Sequence, residues 1–205
     1  MLAKVYKIET ERLVIRCYEP KDAELLKVSI DESLEHLLPW MPWAKNEPET
    51  VKAKVDRLRK YRGQFDLGLD YTFGIFSKDE ERLIGSTGLH TRLGENVREI
   101  GYWINSKFVK QGFATETVKA LIKVGFEIEQ LDRIEIRCAP NNIASQGIPR
   151  KLGFLHEGTL KNRTKDLDGK LRDIMIWTMF KEEYFNGKYS DFNFKVFDIV
   201  NEQIK

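Results

Sequence analysis

Cysteine and histidine are scarce in this sequence: two cysteines, Cys17 and Cys138, and three histidines, His36, His90 and His156, among 205 residues. The cysteines lie far apart and neither has a CxxC partner. That excludes a disulfide framework and points to a reducing compartment. Both fall in strand-like runs, where cysteine more often packs as a small apolar residue than acts as a nucleophile. The histidines lack metal-ligand spacing, so no metal site is expected. No apolar run approaches the ~20 residues of a membrane span, and the first ten residues carry charges where a signal peptide needs an apolar core. A cytoplasmic protein with no membrane partner is therefore expected. Charge of one sign is missing too. Lys plus Arg number 34 and Asp plus Glu 32, mixed along the chain without a basic run, which makes nucleic acid a poor partner.

What is present is a globular balance, 41% apolar and 32% charged, in a length suited to one domain. Residues 12–17 read as a strand. Pro20, Lys21 and Asp22 open a helix carrying Ala23, Leu25, Leu26 and Ile30, because Pro and Asp suit a first turn. The Pro- and Trp-rich stretch 37–48 breaks it, and a polar helix follows over 49–65. Strands at 71–76, 82–90 and 99–104, joined by short loops, form an antiparallel meander. Residues 113–129 are a helix, with Ala114, Val118, Leu121, Ile122, Gly125 and Phe126 at spacings of three and four. Residues 133–139 alternate strictly, Ile134, Ile136 and Cys138 against Arg133, Glu135 and Arg137, as a half-buried strand does. A short helix, 144–152, ends at Gly153. Gly147 and Pro149 are poor helix formers, so it should be short or distorted. Two strands close the order, 154–163 and 171–180, with Asp168-Gly169 at their turn. This is a mixed α/β (α+β) domain over 1–186, with a right-handed parallel crossover over 99–139. The extension 187–205 is rich in aromatics (Tyr189, Phe192, Phe194, Phe197). It has two places to pack, its own domain or a second subunit of a homodimer.

The most informative junction lies between strand 99–104 and helix 113–129. A loop with Gly112 at its bend runs directly into a helix N-terminus. Unpaired N–H groups and the helix dipole there favour an anion. Small residues at Gly112 and Ala114 admit a phosphate to the main chain, and Thr115 adds a hydroxyl. Many strand-to-helix loops carry a glycine, so the loop alone is weakly specific.

A second segment, Asn142-Ile143-Ala144-Ser145 followed by Lys151-Leu152-Gly153-Phe154, stands downstream. Together the two segments resemble the GNAT acetyltransferase superfamily, which pairs a (Gln/Arg)-x-x-Gly-x-(Gly/Ala) diphosphate loop with Asn-x-x-Ser…Lys-x-Gly-Phe. The runs 10–16, 20–23, 85–89, 99–104 and 112–116 are most similar to the bacterial ribosomal-protein N-terminal acetyltransferase branch. The likeness covers about residues 8–183, one domain's worth of chain. Val109 departs from the pattern, standing where it has Gln or Arg.

The resemblance implies the GNAT fold, a mixed and mostly antiparallel sheet of about seven strands flanked by about four helices. It implies acetyl-CoA as cofactor, held by Ile104, Asn105, Gln111, Gly112, Phe113, Ala114, Thr115, Asn142, Ser145 and Lys151. It also implies acetyl transfer to an amine acceptor. Such transfer needs a neutral amine, a stabilised carbonyl oxygen and a protonated leaving thiolate. Glu99, at the head of the strand entering the loop, is the base by resemblance, with an exposed strand-end carboxylate as its bland alternative. His90 is the second candidate base, or only a surface or packing residue. Ser145 is the acid, or only a first-turn helix residue. Asn142 is a pantetheine contact, or only a turn residue. Leu38 to Trp43 wall the acceptor cleft or pin a helix–loop junction. A free α-amine (pKa ~7.7–8.0) asks less of a base than lysine (~10.4), which favours a peptide N-terminus as acceptor. A small amine, such as a polyamine, amino sugar or drug, and a non-catalytic acyl-CoA-binding role stay open.

Overall fold

The computed structural model describes residues 5–187 and 192–205. Tyr189 and the first four residues lie outside that range. One sheet organises the chain, with nine strands among the described residues. In chain order they are β1 (Lys7–Glu9), β2 (Leu13–Cys17), β3 (Tyr71–Ser77), β4 (Leu83–His90), β5 (Val97–Ile104), β6 (Arg133–Cys138), β7 (Leu155–Lys165), β8 (Leu171–Phe180) and β9 (Lys195–Phe197). Their order across the sheet is β7-β8-β6-β5-β4-β3-β2-β1-β9. Every pairing is antiparallel except β5 with β6. Six α-helices are described: α1 (Ala23–Asp31), α2 (Leu34–Leu37), α3 (Val51–Leu67), α4 (Phe113–Lys123), α5 (Ile143–Lys151) and α6 (Lys181–Asn186).

Two apolar clusters hold the layers. One joins Ile134 and Ile136 of β6, Ile100 of β5, and Val118, Leu121 and Ile122 of α4. The other joins Val14 of β2 with Leu26 and Ile30 of α1 and Leu58 of α3. Alternation sends successive β2 residues to opposite clusters, as a period of two requires.

The two strands beyond the expected seven are β1 and β9, three residues each, too short to show a period. The tail contributes β9, which pairs with β1 in register Lys7↔Phe197, Ile8↔Val196. The extension therefore packs on its own domain, where Val196 is fully buried. Other differences are local. Pro20–Asp22 form a 3-10 turn before α1, since proline's missing N–H costs nothing at a first turn. The helix expected over 113–129 is α-helical to Lys123 and closes in a π turn, Val124–Ile128.

Candidate active site

The loop after β5 is braced from outside and open inside. Gly112 adopts φ +85° as the N-cap of α4, a left-handed conformation that glycine alone adopts without strain. Thr10 and Arg12 anchor the first turn of α4 through Glu116. Thr10 Oγ1 donates to Glu116 Oε1 at 2.6 Å, and Arg12 Nε donates to Oε2 at 2.7 Å. Arg12 Nη1 also donates to the Gln111 carbonyl at 3.0 Å, and the Gln111 side chain donates to the Lys107 carbonyl at 3.1 Å. These contacts engage side chains and a carbonyl. Among the described residues, no protein group accepts a hydrogen bond from the main-chain N–H of residues 111–115. Five adjacent donors thus converge on a helix head, where an anion is favoured. Phe113, Ala114 and Thr115 form that first turn.

Asn105 has a different duty. It is almost wholly buried. Its Nδ2 donates to Ser29 Oγ (3.1 Å) and Glu32 (2.9 Å), and its Oδ1 accepts from the Lys107 N–H. The side chain fastens the loop to α1. Ile104, one residue earlier, ends β5 opposite Gly85 of β4.

Beside the loop the sheet opens. β5 and β6 pair only at Val97↔Arg133, Arg98↔Ile134 and Glu99↔Glu135. β5 then continues to Ile104 on β4, and β6 continues to Cys138 on β8. Their facing edges diverge, leaving main-chain groups of residues 100–104 without a strand partner on that side. The opening leads into a cavity of about 1020 Å³. Glu99, Tyr102, Cys138, Asn142 and Ser145 line one end, with His90 and Asp70 nearby. Trp40, Met41, Pro42 and Trp43 line it too, while Trp43 also packs on Trp103 at 6.2 Å between ring centroids. The tryptophans thus wall the cavity and pin the loop at once. A clasp bridges the far side. Lys45 Nζ donates to the carbonyls of Asp166 and Leu167, and Arg172 Nη1 donates to that of Pro39.

Helix α5 spans Ile143–Lys151 with Pro149 inside it. Proline has no N–H to give the carbonyl four residues back, which is that of Ser145. Tyr102 Oη takes the vacancy, donating to Ser145 O at 3.0 Å and lying 3.2 Å from Ser145 Oγ. One hydroxyl on β5 therefore compensates the proline and ties α5 across the splay. Asn142 is the N-cap, its Oδ1 accepting from the Ser145 N–H at 3.1 Å. Lys151 stands exposed in the last turn. Burial raises the Cys138 thiol above its ordinary range, against Ser145 and Trp177, which lower it, so it stays protonated and is a poor nucleophile. Tyr102→Phe should lower unfolding stability by about 1–3 kcal/mol, because it orphans a buried carbonyl. Urea denaturation measures this, and an unchanged midpoint would refute the compensation.

Both candidate bases line the cavity and face each other across β4 and β5, His90↔Glu99. Glu99 is 8% exposed and is gripped in two places by Arg92, Nε to Oε2 at 2.9 Å and Nη2 to Oε1 at 2.6 Å. Arg137 stands 3.9 Å away. His90 Nδ1 lies 2.9 Å from Asp70 Oδ2. Burial pushes the Asp70 carboxyl up, but His90 and the N–H groups of Thr91 and Tyr71 outweigh it and hold it below the usual range. An ionised Asp70 accepts only, so His90 Nδ1 donates to it, and in the neutral imidazole the lone pair lies on Nε2. Glycines make room for that ring. A Cβ at Gly88 would meet Nε2 at 2.6 Å, and one at Gly101 at 3.3 Å. Asp70, Tyr102 and the cavity's arginines carry no local sequence signal; only the surrounding strands bring them together. Among the described residues, no group of three His, Cys, Asp or Glu is placed to hold a metal, and no helix is long and apolar enough to cross a membrane.

A splayed parallel pair beside an open helix head offers unpaired main-chain groups to an extended ligand that ends in an anion. The family pattern for an acetyltransferase (GNAT) domain matches residues 12–155. The putative ribosomal N-acetyltransferase YdaF of Bacillus subtilis (strain 168) is 30% identical, over 87% of this chain and 96% of its own length. The ribosomal protein uS5-alanine N-acetyltransferase of Escherichia coli (strain K12) is 26% identical, over 89% and 94%. Mycobacterium smegmatis RimJ, solved in complex with CoA-disulfide, superposes with TM-score 0.75 at 26% identity, over 87% and 88%. The chain belongs to the GNAT acetyltransferase family.

Proposed function

We propose that this protein acetylates the α-amine of a protein or peptide N-terminus, with acetyl-CoA as donor, in the cytoplasm. The observation that carries the reading is the row of unpaired amides at residues 111–115 beside the β5–β6 opening. Relatives named for ribosomal-protein acetylation support the acceptor class. Residues 1–186 form the catalytic unit, and within the extension 187–205 the strand β9 adds to the β1 edge.

The cofactor supplies an activated acetyl thioester. The amides of Gln111 to Thr115 hold its diphosphate, helped by the Thr115 hydroxyl. The unpaired edge of β5 up to Ile104 and the Asn142 side of α5 flank the pantetheine arm, and Lys151 meets the cofactor at the far end of α5. The Ser145 hydroxyl, positioned by Tyr102, would donate a hydrogen bond to the sulfur of the leaving thiolate, which takes its proton from solvent. His90 Nε2 takes the amine proton, with Asp70 fixing the tautomer. Glu99 is the base that family likeness suggests, but both of its oxygens already accept from Arg92, which favours a positioning role for it. Of the five arginines lining the cavity, Arg57, Arg92 and Arg137 are paired with glutamates, while Arg163 and Arg172 have no carboxylate partner among the described residues. That balance repels a polyamine, which counts against the small-cation alternative.

Acetyl-CoA at 100 times its Kd should stabilise the fold by about 2.7 kcal/mol, seen as a raised Tm, whereas adenosine should leave Tm unchanged. Equal responses would remove the cofactor assignment. Mass spectrometry of peptides with free and blocked α-amines tests the acceptor. Acetylation of small amines alone would overturn the N-terminal reading.

A further inference from the structure

The part of the cavity lining supplied by β7 and β8 is cationic without matching carboxylates. β7 shifts register against β8 between Leu160 and Thr164, with Asn162 at φ +55°. Arg163 within that bulge and Thr164 at its end both line the cavity, together with Arg172 of β8. Thr164 and Arg172 are cross-strand partners. Arg172 donates to two carbonyls, Pro39 O at 2.6 Å and Lys165 O at 3.5 Å, and lies over the Trp40 ring at 6.0 Å, with no carboxylate among its contacts in the described residues. Its buried Nε has no hydrogen-bond partner among the described residues, and neither has Thr164 Oγ1. Arg163 is exposed and makes no ion pair among the described residues. The other cavity arginines differ. Arg57, Arg92 and Arg137 are bonded to Glu47 and Glu49, Glu99, and Glu135 respectively. The hairpin's own Asp166 and Asp173 cap backbone amides and do not line the cavity.

An amine acceptor brings positive charge or a neutral lone pair, so two uncompensated guanidiniums serve no purpose toward the amine itself. They are complementary to an anion further along the acceptor, where Arg's planar fork matches a carboxylate. Building on the N-terminal reading, we propose that the preferred acceptor is a peptide with an acidic residue shortly after its terminal amine, its carboxylate held by Arg163 and Arg172. The clasp between residues 39–45 and the hairpin fixes Arg172 through Pro39, and Arg163 lines the same cavity.

The test uses matched peptides of one terminal residue, carrying Asp, Asn or Lys at the second to fifth positions, titrated calorimetrically into the CoA-loaded protein. The Asp series should bind about tenfold more tightly than the Lys series, with the preference shrinking at high salt. Arg163→Gln with Arg172→Gln should bring the ratio close to one, and Arg172→Lys should keep part of it. Arg163→Gln alone, on an exposed side chain, keeps the comparison informative if the double variant does not fold. Equal binding of the three series, a reversed order, or a ratio unchanged by the variants would overturn the proposal. An amino acid compared with its amide covers the case in which no peptide binds. Preference for the carboxylate supports the anion site, and indifference ends it. Turnover is read separately. Peptides acetylated without regard to charge sink the anion site and leave the N-terminal reading standing. Charge-selective binding with only small anionic amines acetylated does the reverse.

Discussion

Gly112→Glu protein binds acetyl-CoA at least about 100-fold more weakly than wild type, a loss of roughly 2.7 kcal/mol or more. Two effects act together. The residue sits at φ +85°, where a side chain costs backbone strain. The new carboxylate also lies at the head of α4, competing with the diphosphate for the amides of 111–115. An added Cβ meets only Arg12 Nη2, at 3.4 Å, so the fold itself should survive. The comparison with Gly112→Ala separates the causes. Alanine carries the strain without the charge and should cost about 1–2 kcal/mol in stability while retaining measurable cofactor binding. Calorimetric titration reads both variants. Retained affinity in Gly112→Glu would place the diphosphate elsewhere.

His90→Ala should lower kcat by about 10²–10⁴-fold, the range for losing a general base, with acetyl-CoA affinity unchanged. Nε2 has room over Gly88 and Gly101, and its lone pair is presented because Asp70 claims Nδ1 at 2.9 Å. Asp70→Asn should cost less, since it removes the fixed tautomer and leaves the imidazole. Raising the pH should narrow the His90→Ala deficit, because a more alkaline medium deprotonates the α-amine without help. Glu99→Gln is the control that decides between the two bases. Its bonds to Arg92 give it a positioning role, so it should cost less than His90→Ala and leave the acid limb of the pH–kcat/KM profile in place. A larger loss in Glu99→Gln, with that limb abolished, would return the base to Glu99.

Much of this molecule was legible in one dimension, because its strongest signals are local. The alternation of Arg133–Cys138, the apolar spacing of Phe113–Lys123 and the glycine at the loop-to-helix bend each report a backbone period or conformation set within a few residues. The family motifs sit on those same elements. The anion-ready helix head was readable for that reason: a helix start leaves its first N–H groups free wherever it occurs.

Other features were settled by tertiary structure. β1 and β9 are three residues each and become strands only through the ladders they join, β1 on β2 and β9 on β1. Asn105 falls within a motif for binding, yet its amide fastens α1, a choice made by Ser29 and Glu32 from 70 residues away or more. Pro149 reads as a helix breaker and is tolerated because Tyr102, on another element, donates where the proline cannot. The pairing of Asp70 with His90, the capture of Glu99 by Arg92 and the gathering of Arg163 and Arg172 on one wall are likewise encounters between distant segments. Periodicity fixes which face a side chain takes. Which charged group it meets there is set by strand order and register, and those determine how basic a carboxylate or imidazole can be.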